Sequence, residues 1–516
     1  MEVDQESIAG NRGKSRLVRN TLSLVICGGF SIVFTLIQLG ILSRYLEADI
    51  FGTFIALRGF LVLLATVNLI GLPQVLMRYL PSYQERGNRR KAILLLFFST
   101  LIILLFGAVL YAGSGIWVDW IPSSMSEGII TDDLITLVTV AAVSLALKLL
   151  LYGGFKGLRT MGAQMMLELT YLALFTGYIF IVRDDLGIAV LFRALAAANL
   201  LICAAGYPIY FVMARRLIGS EEIDRDDIIL PSLPSYWGIS LILSMVALAF
   251  QDVDRFLMTS MVPVGLVSVF HVAERINKLI KRFLAFPIIA LQPEVTRVYE
   301  EGRWNELKGQ IRLFTKVSLV ISLLMAAAAA VAGRQVIMMI SGSDYASAYP
   351  VLLILLPAVP VAAFIAPLLV TMKALHFVKY ALLCDFLWMV CYFGGFPVFI
   401  TLWGVKGMAI AQLLAASAQT AAAVSIARRK GFYGGVGRGL APVTGLIAAA
   451  TLPGFILAEY AGIPGAVLWL AVFPFIARLI FSRAGFFSGT DKRTILSMIR
   501  FQTGRRVFGW FLKAGE

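Results

Sequence analysis

Apolar stretches of about 20 residues recur along this chain about fourteen times, parted by short polar loops, and a stretch of that length is what crosses a bilayer as a helix. The pattern predicts spans near 20–42, 50–80, 92–113, 134–154, 164–182, 187–213, 237–261, 264–291, 313–332, 349–372, 380–402, 404–427, 440–458 and 463–481. Stretches two and eight are long enough to tilt or to project beyond the membrane. The fold class expected is an all-α polytopic membrane protein.

The eighth stretch breaks the apolar rule. His271, Glu274, Arg275, Lys278, Lys281 and Arg282 recur at helical spacing, and at about 100° per residue they share roughly one third of the circumference of a helix. The segments 264–270 and 283–291 on either side are apolar, which puts the charges near mid-depth. An ionised side chain at the centre of a span costs on the order of 3 kcal/mol even on lenient scales, so such a stripe faces water or a partner. Because it is mainly cationic, the simplest occupant of a polar cavity beside it is an anion. The competing reading is an interfacial segment whose Lys and Arg snorkel to headgroups.

Composition agrees with the span pattern. Of 516 residues 59% are hydrophobic and only 15% charged, which no soluble domain of this size would show. The formal charge is +15, and the Lys and Arg outside the spans fall overwhelmingly on one side: Arg12, Lys14, Arg16 and Arg19, then Arg86, Arg89, Arg90 and Lys91, then Arg428, Arg429 and Lys430, then the tail from Arg483. That bias predicts both termini in the cytoplasm and membrane lipids as partners of the basic clusters, and it removes any need for nucleic acid. The polar opening leads into a full-length span, so no cleavable signal peptide is expected.

Catalytic and metal chemistry find little material. Cys27, Cys203, Cys384 and Cys391 lie inside apolar stretches and read as small core residues, and His271 and His376 are the sole histidines. Gly13, Lys14 and Ser15 look like the end of a phosphate loop, but Ile8 stands where its first glycine belongs. No ATP site is encoded, so transport would run on a proton or sodium gradient, a membrane potential or the substrate's own gradient, with no bound cofactor. The external loop 115–133 is too short for a catalytic domain, and its acids Asp119, Glu127, Asp132 and Asp133 read as a solvated turn. The stretch 215–236 alternates acids with bases, holds Pro231 and Pro234, and reads as a linker between two six-span halves. The expected organisation is 1–230 for spans one to six, 231–430 for spans seven to twelve, and 431–516 for a last pair with a basic cytoplasmic tail. A faint repeat supports it: Tyr83-Gln84-Glu85-Arg86-Gly87 returns about 215 residues later as Tyr299-Glu300-Glu301-Gly302-Arg303.

Several short patterns carry a resemblance. Leu42-Ser43-Arg44-Tyr45-Leu46, Phe51-Gly52, Gly71-Leu72-Pro73 and Arg78-Tyr79-Leu80 follow the first span. Asp254-Arg255 precedes Val269-Phe270-His271-Val272-Ala273; Gly342, Tyr345 and Ala348 precede span ten; and Gly404, Gly407 and Ala409 open span twelve. From about residue 15 to about 485 the chain resembles the polysaccharide flippases of the multidrug/oligosaccharidyl-lipid/polysaccharide exporter superfamily, with Ser268 standing where that pattern has a glycine. The resemblance implies two six-helix lobes in a V around a central cavity, two trailing helices, alternating access, and an isoprenoid-diphosphate-linked oligosaccharide carried across the inner membrane. Polysaccharide assembly proteins are the partners it implies.

The bases inside the spans outnumber the acids, which suits a diphosphate. Arg58, Lys148, Arg193, Arg255, Arg275, Lys278, Lys281, Arg282 and Lys316 are the candidate substrate-binding residues, while Arg78 and Arg478 lie near span ends and read as snorkelling. Asp252, Asp254, Glu274 and Asp385 either neutralise these bases or take up a coupling ion. Two other functions compete with the flippase: a multidrug cation exporter of the same fold, which calls for an acidic or aromatic cavity, and a polytopic glycan polymerase, which calls for a sizeable external loop.

Overall fold

The computed structural model describes residues 27–118, 121–122, 130–218, 237–238, 240–241, 244, 252–375, 377–435, 440–483, 486–487 and 491. The amino-terminal basic cluster, the linker 219–236, most of expected span seven, Asp119, Glu127, His376 and most of the basic tail lie outside them. Every regular element among the described residues is helical. Among the described residues, ten helices are long and apolar enough to cross a membrane, and the pair Ser343–Leu355 and Ala358–Ala374, bent by 45°, makes an eleventh if it is one span. The helix Val264–Glu300 has the length, 37 residues, but its charge stripe sets it apart from that group.

The expectation of one long span over 50–80 is corrected. Two helices stand there, Ala48–Leu69 and Leu72–Glu85. Ile70 and Gly71 both adopt positive φ, 46° and 74°, and Pro73 follows at the start of the second helix, so the hydrogen-bond ladder cannot continue through them. The Trp237 indole donates to the Ile70 carbonyl at 2.5 Å and takes up one acceptor the break exposes. Elsewhere, polar side chains start the helices. Thr131 accepts from the Leu134 amide at 3.3 Å and opens Asp132–Gly157, with Asp132 and Asp133 in its first turn; Asn88 accepts from the Lys91 amide at 3.2 Å and opens Arg89–Ala112.

The chain divides into two compact units, Met1–Ser268 and Val269–Glu516, with the division inside the helix Val264–Glu300. In the first unit, Asp132–Gly157 is central and packs on Ala48–Leu69, Leu72–Glu85, Arg89–Ala112 and Ile188–Leu217. The segment Val253–Met258 lies against Ala48–Leu69: a Cβ on Gly59 would run into the Asp252 carbonyl, and the rings of Phe60 and Phe256 stack with centroids 4.9 Å apart.

The second unit uses one tight helical hairpin twice. Val378–Trp403 meets Val405–Arg429 through Gly404 at φ 57°, ψ −142°, and the helix assigned to Leu440–Arg483 is likewise two arms joined at Gly462, φ 58°, ψ −134°. Three residues on, Gly407 and Gly465 pack directly on the carbonyls of Phe399 and Leu457, positions where a side chain would force the arms apart. The Trp469 indole donates to the Ala450 carbonyl at 3.2 Å across the second hairpin. The repeat suspected at Tyr83 and Tyr299 has a backbone counterpart. Gly87 (φ 69°) and Gly302 (φ 70°) close their helices in the same turn, the next amides donating back to Tyr83 at 2.9 Å and to Val298 at 3.1 Å.

Candidate functional site

Within the first unit, two cations are buried against carboxylates. Lys148 is 3% exposed. Its ammonium lies 3.9 Å from Glu168 Oε2 and 3.3 Å from the centre of the Tyr171 ring, with Tyr152 on a further side at 5.8 Å. Arg58, half-buried on Ala48–Leu69, lies within electrostatic range of Lys148 and Tyr171. Arg255, 1% exposed, bonds the Asp254 carboxylate beside it and lies 3.4 Å from Asp252 Oδ1. Asp252, Asp254 and Arg255 thus form one ionic group on the face that packs against Ala48–Leu69. Arg193 stands apart, exposed on Ile188–Leu217.

Within the second unit the stripe of Val264–Glu300 runs from dry to wet along its length. His271 and Glu274 are 3% and 2% exposed, Arg275, Lys278 and Lys281 are half-buried, and Arg282 is exposed. Leu279, off the stripe, is buried. Glu274 is held from two directions. The Lys278 ammonium lies 3.3 Å from its Oε2, one helical turn on, and the Gln412 amide donates to its Oε1 at 3.1 Å from Val405–Arg429. Lys281 and Arg282 carry no acidic partner among the described residues. The stripe therefore contains one well-anchored carboxylate followed by a cationic end.

The other candidates are placed elsewhere in that unit. Asp385 accepts from the Gln419 amide at 2.9 Å and lies near Lys373. Lys316 is buried and donates to the Phe486 carbonyl at 2.7 Å and to Asp491 Oδ2 at 2.9 Å, which pins the segment after the last span to Trp304–Ser341. The structure thus groups Lys148 with Arg58, groups Arg255 with Asp252 and Asp254, and groups Glu274 with Lys278, while Lys316 and Asp385 each stand in a separate network.

Sequence reasoning missed the residues that hold these charges. Gln412 and Gln419 sit seven apart on one face of a mainly apolar helix and bond Glu274 and Asp385 respectively. That spacing of two amides in a span was the available signal. Tyr171 and Asp491 offered none, because an aromatic residue in a span and an acid in a basic tail are both ordinary. Asn277, fully buried beside the stripe, has neither amide atom bonded among the described residues. Cys203 and Cys384 are buried, as small core residues are, and Cys27 and Cys391 are half-buried; all four are free.

No protein-family model matches the sequence, and no curated protein is similar to it in sequence. Solved structures are similar to it in fold. The lipid II flippase MurJ in an inward closed conformation matches with a TM-score of 0.67 at 12% identity, over 89% of this chain and 98% of that one. A MATE transporter of Vibrio cholerae matches with a TM-score of 0.57 at 17% identity, over 81% and 98%. A MOP superfamily transporter from Pyrococcus furiosus, described by a binding pocket of reverse polarity, matches with a TM-score of 0.59 at 15% identity, over 81% and 96%. At these identities the likeness concerns the backbone, and it covers nearly the whole of each solved chain. This polytopic helical membrane protein has the fold of the MOP superfamily transporters.

Proposed function

We propose that this protein is a flippase that carries an anionic, isoprenoid-diphosphate-linked oligosaccharide across the inner membrane by alternating access, for surface polysaccharide synthesis. It is a secondary transporter, not an enzyme, with both termini in the cytoplasm, and it runs on an ion gradient, a membrane potential or the substrate's own gradient. The observation that carries the reading is the stripe on Val264–Glu300, where Lys278, Lys281 and Arg282 follow a carboxylate already engaged by Gln412. A diphosphate is the commonest cargo group that repays so many cations: Arg grips its oxygens as a fork and Lys adds a point charge. Arg275 completes the cargo-facing set of the second unit in this reading, Arg58 and Arg193 are the candidates of the first, and Lys148, Arg255 and Lys316 hold their units together through Glu168, Asp254 and Asp491.

Charge is also what separates this cargo from the cationic drugs that the MATE-like fold brings to mind. The Pyrococcus furiosus transporter, in which reverse polarity of the binding pocket suggests a different function, supports treating charge as the discriminating feature within one fold. The experiment is the sidedness of lipid-linked oligosaccharide in cells lacking the protein and any second exporter, scored beside efflux of a cationic dye by the purified chain. Accumulation of the lipid-linked sugar on the cytoplasmic side, with no dye efflux, is expected. Unchanged sidedness together with dye efflux replaces the flippase by the multidrug exporter.

A further inference from the structure

The second unit contains an open groove of about 370 Å³ far from the charge stripe in sequence, between Trp304–Ser341 and the hairpin bent at Gly462. Arg334 and Glu459 face each other across it, the guanidinium 3.2 Å from Glu459 Oε2 and 3.5 Å from Oε1, and both side chains are accessible. Tyr349, Tyr460 and Gln335 line the same space. Glu459 stands three residues before the turn at Gly462, and Arg334 follows the apolar run 326–333 with a further apolar stretch, 336–340, between it and the end of its helix at Ser341. The pair thus lies within about two turns of the ends of both helices, and two charges at that depth, flanked by tyrosines, suit the headgroup level of a bilayer.

We propose that this groove holds the headgroup of a zwitterionic phospholipid of the phosphoethanolamine type, with its phosphate on Arg334 and its amine on Glu459. The charge pattern selects that occupant. Arg334 supplies the fork that a phosphate oxygen pair requires, and Glu459 is an acceptor for the three donors of a primary ammonium. A carboxylate this close to the guanidinium works against a headgroup of purely negative charge, which excludes both an anionic phospholipid and the diphosphate of the cargo. Opening the Arg334–Glu459 pair costs little, because an accessible ion pair is weak. The Gln335 Oε1 is buried with no hydrogen bond among the described residues, and it adds an acceptor to the groove wall, while its Nε2 is engaged by the Ala458 carbonyl at 3.3 Å. Ile456, 58% exposed, and Leu353 continue the wall as the apolar surface that acyl chains cover. The assignment is independent of what the protein transports.

The test is lipid retention by the full-length chain, purified in detergent and incubated with equal amounts of phosphatidylethanolamine and phosphatidylglycerol, then read by native mass spectrometry. The intact protein should retain the ethanolamine lipid in preference by about tenfold, the factor that one charge-assisted contact commands. Glu459→Gln should erase the preference, Glu459→Lys should turn it toward phosphatidylglycerol, and Arg334→Gln should weaken retention of both. Size-exclusion profiles should stay unchanged, since both side chains are accessible. Equal retention of the two lipids by the intact protein would overturn the proposal. So would a preference that survives Glu459→Gln, or displacement of the lipid by a soluble oligosaccharide.

Discussion

Lys148 in the first unit and Lys281 in the second are both lysines on long helices, yet they are treated in opposite ways. Lys148 is enclosed by the Glu168 carboxylate and two tyrosine rings, as Arg255 is by Asp252 and Asp254. Lys281 and Arg282 extend from a buried carboxylate toward an accessible end with no acid to meet them among the described residues. A charge with its counter-charge built in adds structure to a bundle, whereas a charge without one is available to a ligand, the role proposed above for Lys281 and Arg282. The number of bases in the spans matters less than how many of them the fold has already neutralised.

The sharpest way to break this contrast is to remove the counter-charge from the first unit. Asp254→Ala leaves the Arg255 guanidinium buried with one carboxylate fewer, and breaking such a pair costs about 3–5 kcal/mol. Folded, monodisperse protein should be lost, and a thermal melt indistinguishable from the original would show that Arg255 is not held as described. Next comes accessibility. Cysteines introduced as Lys278→Cys, Lys281→Cys and Arg282→Cys should react with a small water-soluble thiol reagent, while Lys148→Cys and Leu279→Cys stay slow. Equal rates at all five positions would erase the distinction.

A smaller effect separates structural from cargo-facing charge. Glu168→Gln should lower the melting temperature because it strips the carboxylate from Lys148, and the double change with Lys148→Met should recover most of the loss. Replacing both members of a buried pair by uncharged groups is close to neutral, whereas removing one is not. Two separate losses that simply add would mean that the residues do not interact. The smallest effect is expected at Arg193, exposed on Ile188–Leu217. Arg193→Gln should change stability by less than about 0.5 kcal/mol, so any loss of transport with it reports on cargo alone.

The helices were legible in the sequence because twenty apolar residues in a row leave few alternatives, and the stripe was legible because charges in such a run are costly. The break at Ile70 and Gly71 was half legible. Gly71 and Pro73 were visible as breakers inside a stretch read as one span, but the positive φ of Ile70 that begins the turn is seen only in the structure. The turns at Gly404 and Gly462 were half legible. The glycines are visible, but the reason for the second glycine three residues on is the neighbouring arm's carbonyl, a contact made in three dimensions. The same limit applied to the charges. Lys148 and Lys281 look alike in sequence, and what distinguishes them is whether a carboxylate such as Glu168 on another helix comes within reach.

The most direct measurement of the central claim is the initial rate at which a fluorescent isoprenoid-diphosphate-linked oligosaccharide crosses proteoliposomes that contain the intact protein or the pair Lys281→Gln, Arg282→Gln. Losing charged contacts to the cargo should slow transfer by more than about tenfold, at an unchanged melting temperature. Transfer at the original rate by the doubly substituted protein would contradict the account, because the stripe would then have no part in carrying the anion.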